Sequence, residues 1–137
     1  MSQTVVFVCE HGSAKSLVAA SFLQRIAKKD GLAIDAVSRG TAPDPSVPAV
    51  VIRALREDGF EVGAFRPQAL TATDVATSVR VVAIGVDLGP LAAQAAARVV
   101  RWDGVPPVST NYAEARRDLT ARIEGLLREL NTSRVRP

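Results

Sequence analysis

The most constraining feature of this 137-residue chain lies near its start, where an unbroken β-branched and aromatic run, Thr4 to Val8, passes directly into a polar loop and then a helix. A run that is apolar at every position has no side to show to water. It reads as a strand covered on both faces, the usual state of a strand in a parallel sheet. The loop is Cys9-Glu10-His11-Gly12-Ser13-Ala14-Lys15-Ser16. The helix continues to about Lys29, with Val18, Ala19, Phe22, Leu23 and Ile26 along one face.

The same alternation continues down the chain. Ala33 to Ser38 reads as a second strand, closed by an Arg39-Gly40 turn. Asp44-Pro45 and Pro48 suit the entry of a second helix, with Val47, Val51, Ala54 and Leu55 as its apolar stripe and Gly59 as its stop. Phe60 to Pro67 reads as an irregular return, and Thr71-x-x-Asp74 has the form of a capping box before a short helical turn. Arg80 to Ile84 is a third strand, Pro90 to Ala97 a short alanine-rich helix, Val99 to Trp102 a fourth strand and Asp103 to Ser109 a loop. A last helix runs from about Tyr112 to Leu130, with Leu119, Ile123, Leu126, Leu127 and Leu130 on one face, and Asn131 to Pro137 is expected to fray.

Strands separated by helices pair in parallel through right-handed crossovers. The expected fold is therefore α/β, a four-stranded parallel sheet with helices on both faces, with residues 1–137 as a single domain. Hydrophobic residues at 47% and charged residues at 23% exclude a disordered chain. No apolar run approaches the ~18–20 residues of a membrane span, and Met1-Ser2-Gln3-Thr4 lacks the basic and apolar regions of a signal peptide. One cysteine cannot form an intramolecular disulfide framework or a multi-cysteine zinc site. A net charge of +3 without a run of five like charges leaves no nucleic-acid or membrane footprint. The expectation is a soluble cytoplasmic protein without metal or cofactor.

Ligands of such sheets bind at the carboxyl ends of the strands, near the switch in strand order, which points to the loop holding Cys9. There the first N–H groups of a helix lack intrahelical partners and the helix dipole adds positive potential, an arrangement that takes anions and favours a thiolate. Lys15 adds a full positive charge, and Ser16 a hydroxyl that can aim at the sulfur. A nucleophile and an oxyanion cradle in one loop suit attack on a tetrahedral anion. The nucleotide-binding pattern Gly-x4-Gly-Lys-Ser does not fit: laid on Lys15-Ser16, its glycines fall on Cys9 and Ala14.

Phe7 to Ser16 resembles the Cys-x5-Arg-Ser loop of the low-molecular-weight protein tyrosine phosphatases and their arsenate reductase relatives. Ser38-Arg39-Gly40-Thr41 is similar to that family's Ser-Ala-Gly-Thr, and Phe65-Arg66-Pro67-Gln68-Ala69-Leu70 to its His-Arg-Pro-x-x-Leu. Trp102 and the loop after it fall where the family keeps an Asp-Pro loop. The short spacing from Gly40-Thr41 to Gly59 is nearer the arsenate reductase branch. The resemblance implies a phosphomonoester hydrolase that forms a phosphocysteine on Cys9. Its ligand would be a phosphate-type oxyanion or phosphorylated substrate, held by Glu10, His11, Gly12, Ser13, Ala14 and Lys15. Ser16 would stabilise the departing thiolate, and Asp103 would serve as the acid that protonates the leaving alcohol and then activates water.

Three departures from the family pattern bear on the chemistry. Lys15 stands where the family has arginine, replacing a planar two-pronged donor by a point charge. The Asp-Pro dipeptide is replaced by Trp102-Asp103-Gly104-Val105-Pro106-Pro107, with Asp87 a second candidate acid. The absence of a second cysteine excludes an intramolecular thioredoxin-coupled arsenate cycle. Two other readings stay open on these grounds: an arsenate reductase coupled to an external small thiol, and a non-catalytic oxyanion-binding module. Gly12 replaces the family's asparagine, and both residues tolerate the left-handed backbone. Arg66 and Trp102 read as packing or rim residues, and Tyr112 as a candidate wall of the pocket.

Overall fold

The structure is a computed structural model that describes residues 3–135. Four strands, β1 (Gln3–Cys9), β2 (Ile34–Gly40), β3 (Arg80–Ile84) and β4 (Val99–Trp102), form one parallel sheet in the order β2-β1-β3-β4. The helices are α1 (Lys15–Lys29), α2 (Ala49–Glu57), α3 (Ala72–Thr77) and α4 (Tyr112–Val135), with a 3₁₀ helix at Gly89–Arg98. The chain leaves β1 toward β2 on one side and reaches β3 on the other. The loops after β1 and β3 therefore diverge, opening a crevice at the carboxyl edge of the sheet.

Val5 to Cys9 are all buried, as an apolar run between two layers must be. The period of two sorts them. Val5, Phe7 and Cys9 face the larger core, with Leu17, Val18 and Leu23 of α1 and Leu119 and Ile123 of α4. Val6 and Val8 face a smaller core with Val75 of α3, Leu70 and Ala95. Helices thus cover both faces as expected, and the alternation sends the Cys9 sulfur to the α1 side.

Four local details differ from the sequence reading. Strand β2 does not stop at Ser38: Arg39 pairs with Val8 and Gly40 with Cys9, and the Gly40 N–H and C=O are taken by Gln68 O and Leu70 N at 2.9 and 3.1 Å. The would-be turn is strand because it has neighbours on both edges. Helix α2 begins at Ala49 behind Pro48, which leaves Asp44-Pro45 ahead of it and free for another use. The alanine-rich segment is 3₁₀ rather than α, kinked at buried Ala95. Its Gly89 N–H is taken by Asp87 Oδ1 at 2.9 Å, and its alanines offer no stripe long enough to hold an α-helix. Finally, α4 continues to Val135, since no glycine or proline interrupts it after Leu130, and of the expected frayed tail Arg136 and Pro137 lie outside the described residues, as do Met1 and Ser2 of the start read for a signal peptide. The Thr71–Asp74 capping box forms as read, with both hydrogen bonds at 3.0 Å. Among the described residues no helix is long and apolar enough to cross a membrane.

Candidate active site

The loop from Cys9 to Ser16 is shaped by where its carbonyls go. Cys9 O accepts from Thr41 N at 3.1 Å, Glu10 O from Ala42 N at 2.7 Å and His11 O from Asp44 N at 3.0 Å. Gly12 O accepts from Ser38 Oγ at 3.3 Å. Four successive carbonyls are thus turned toward the end of β2 and the segment after it. The N–H groups of residues 10 to 17 donate to no backbone carbonyl among the described residues. Unpaired donors on one side of a loop, leading into the N-terminus of a 15-residue helix, make a donor-only concavity suited to an oxyanion.

This shape requires two glycines. Gly12 has a φ of +64°, which a side chain would strain, and it lies against Gly40. A Cβ on either would come within 2.8 Å of a backbone nitrogen of the other.

The sulfur sits at the floor. Cys9 is 5% exposed, and its Sγ lies 3.0 Å from Ser16 Oγ, which lies 2.7 Å from Ser38 Oγ. Each hydroxyl carries one proton: when Ser38 gives its own to Ser16 rather than to the more distant Gly12 O, Ser16 is free to donate to the sulfur. At the rim, Asp44 clasps the loop: Oδ2 accepts from buried Ser13 Oγ at 2.7 Å, and Oδ1 lies 3.1 Å from His11 Nδ1. Above the sulfur is a cavity of about 220 Å³. Cys9, Glu10, His11, Ala14 and Lys15 line one side, and Ile84 to Val86 and Pro107 to Ser109 the other.

A model of the low molecular weight phosphotyrosine protein phosphatases matches residues 4–101. The chain belongs to this family. The fold agrees with solved phosphatases. The low molecular weight protein tyrosine phosphatase of Bacillus subtilis superposes with a TM-score of 0.81 at 19% identity, over 96% of this chain and 99% of that one. A protein tyrosine phosphatase of Entamoeba histolytica gives 0.83 at 14% identity, over 98% and 100%. A thioredoxin-dependent arsenate reductase of Corynebacterium glutamicum gives 0.74 at 22% identity, over 96% of this chain and 63% of that one. A comparison with curated protein sequences finds no match.

In this phosphatase-family chain the structure brings together Cys9, Ser16 and the backbone of Glu10 to Lys15, with Lys15 on the cavity wall. Lys15 makes no ion pair among the described residues. Asp103 is not brought to the cavity. Its carboxylate is 65% exposed and 3.5 Å from Arg101, and its carbonyl is held by Arg122 Nη2 at 2.6 Å. Nor is Asp87, whose carboxylate caps the 3₁₀ helix. The wall expected to carry an acid is instead Pro107, Val108 and Ser109.

Tyr112 does not line the cavity either. Its hydroxyl donates to Asp58 at 2.5 Å, and burial first, then that hydrogen bond, holds its phenol above the usual tyrosine range. Trp102 is buried against Phe7 with ring centroids 5.5 Å apart, a packing residue as read, and Arg66 is exposed. Sequence reasoning missed Asp44, Ser38 and Gly40 as parts of the site. The available signal was their place: all three follow or end β2, the strand that runs beside the one ending at Cys9.

Proposed function

We propose that this chain hydrolyses phosphomonoesters through a covalent phosphocysteine on Cys9. The observation that carries the reading is the row of N–H groups from residues 10 to 17 left without backbone acceptors around a sulfur that holds a serine hydroxyl at 3.0 Å. The Cys9 thiolate attacks phosphorus opposite the leaving oxygen. The amides of Glu10 to Ala14 and the Lys15 ammonium take the charge that spreads over the equatorial oxygens. When water later displaces the sulfur, Ser16 stabilises the returning thiolate, and Ser38 keeps its hydroxyl turned that way. The 220 Å³ cavity, with Val86, Pro107 and Val108 as apolar walls, suits an aryl leaving group such as that of phosphotyrosine. The working thiolate and the lone cysteine suit a reducing compartment, and we place the protein in the cytoplasm.

Arsenate reduction is the less supported alternative. The chain has one cysteine, so an arsenate adduct on Cys9 would need an external thiol to complete a cycle, whereas phosphate transfer to water needs none.

The test is to mix the protein with an aryl phosphate, quench in acid and locate the phosphoryl group. We expect steady release of the phenol and a phosphoryl group on Cys9. Release without a Cys9 adduct, or no release, overturns the reading. A second expectation concerns the cation. Lys15→Arg restores a fork that can bond two oxygens at once, and should raise kcat/KM for aryl phosphates about tenfold, the equivalent of one further charge-assisted hydrogen bond. An unchanged or lower value in steady-state assays would remove Lys15 from the oxyanion.

A further inference from the structure

The reaction proposed above needs a proton for the leaving oxygen, and neither Asp103 nor Asp87 reaches the cavity. Among the described residues the titratable groups that do line it, besides the thiol itself, are Glu10, His11 and Lys15. Of these, His11 alone is held by a built support. Its Nδ1 lies 3.1 Å from Asp44 Oδ1. Asp44 is fixed in turn by Ser13 Oγ, which is almost wholly buried, on its other oxygen at 2.7 Å, and by its own N–H on His11 O at 3.0 Å. Nucleophile and histidine thus line one cavity, with Asp44 outside its lining and against the histidine, an arrangement by which a carboxylate fixes an imidazole's orientation. With Nδ1 engaged, Nε2 is the nitrogen left to exchange protons. Glu10 has no such support: among the described residues its carboxylate is paired with His11 Nε2 alone, at 3.9 Å.

Resting on the phosphatase reading, we propose that His11 is the proton donor and acceptor of the reaction, with Asp44 as its positioning residue. In the first half, the S–P bond forms as the P–O bond breaks. The electron pair leaves with the substrate oxygen, which takes the proton from His11 Nε2. In the second half, a water oxygen bonds to phosphorus, its proton passes to Nε2, and the S–P electron pair returns to sulfur, releasing phosphate. The protein ends as it began, with no oxidant, reductant or further reactant. The assignment also explains why the wall after β4 can consist of Pro107, Val108 and Ser109: the acid has moved from the facing loop into the anion loop itself.

The test is a leaving-group series, from 2,4-dinitrophenyl phosphate, whose phenolate departs unaided, to phenyl phosphate, whose oxygen needs a proton. In His11→Gln we expect kcat/KM to change less than about threefold for the first and to fall about 100-fold for the second, the usual range of a general acid. Because water activation is lost too, the variant should give a burst of dinitrophenol stoichiometric with the protein, followed by slow turnover. Asp44→Asn should tilt the series the same way by a smaller factor. Retained activity on the dinitrophenyl ester shows in the same assay that the variant is folded. An equal fall for both esters, or a tilt produced by Glu10→Gln or Asp103→Asn instead, overturns the assignment while leaving Cys9 catalysis standing. Failure of the unaltered protein to turn over either ester overturns both.

Discussion

Cys9→Ser is expected to lose at least about 10³-fold in kcat on any aryl phosphate, while its fold and its affinity for inorganic phosphate remain close to those of the parent protein. The large kinetic effect follows from what surrounds the sulfur. A serine hydroxyl attacks phosphorus only if a base takes its proton, and the group within reach of position 9 is another hydroxyl, Ser16 Oγ at 3.0 Å. Sulfur needs no such base, because a thiol yields a thiolate far more readily than an alcohol yields an alkoxide. The small structural effect follows from the same contacts. Serine is slightly smaller, can keep a hydrogen bond to Ser16, and leaves the amides of residues 10 to 17 where they are. Steady-state assays with titration calorimetry of phosphate check both halves. A variant that keeps more than a tenth of the parent rate would show that sulfur is not the nucleophile. One that loses phosphate binding in parallel would show that the sulfur shapes the cradle rather than attacks from it.

The contrast between legible and illegible parts of this site has a physical cause. The run Thr4 to Val8 and the helical stripe after Lys15 are local patterns, so β1, α1 and the anion loop between them could be read directly, and the Thr71–Asp74 cap also closes within one turn. What could not be read depends on contacts across the fold. Asp44 sits 31 residues from Ser13, and its Asp-Pro step looks like ordinary helix entry until α2 is seen to start at Ala49. Asp103 falls in the loop where the resemblance places an Asp-Pro acid, which makes it a reasonable acid in the sequence. Only the geometry shows its carboxylate turned to Arg101 and its carbonyl held by Arg122. The Arg39-Gly40 pair looked like a turn because glycine commonly ends a strand. Its neighbours on both sides, Cys9 and Ala69, come from distant segments and make it the end of a paired strand instead.

That position carries the second large expectation. Gly40→Ala should lower kcat on aryl phosphates about 100-fold or more and destabilise the protein by about 1–3 kcal/mol, the cost of an added carbon in a packed site. The residue needs no unusual backbone angle, so the penalty is one of space alone. An added Cβ would lie 2.8 Å from Gly12 N, 2.9 Å from His11 C and 3.0 Å from Glu10 O, all backbone atoms that cannot rotate away. The loop must lift off β2. Lifting it stretches the bonds from Thr41, Ala42 and Asp44 that turn its carbonyls outward, so the donor row no longer converges on one point. Displacements below an ångström matter here, because the amides act on a transition state whose oxygens they must meet at hydrogen-bond distance. Gly63→Ala is the matched comparison: nothing lies within 4 Å of its added carbon, and its stability should stay within about 0.5 kcal/mol of the parent. Urea titrations followed by Trp102 fluorescence, with phosphate binding and turnover measured on the same samples, separate the two glycines. If Gly40→Ala binds phosphate and turns over as the parent does, the contact between the strand end and the anion loop is not what holds the donors in place.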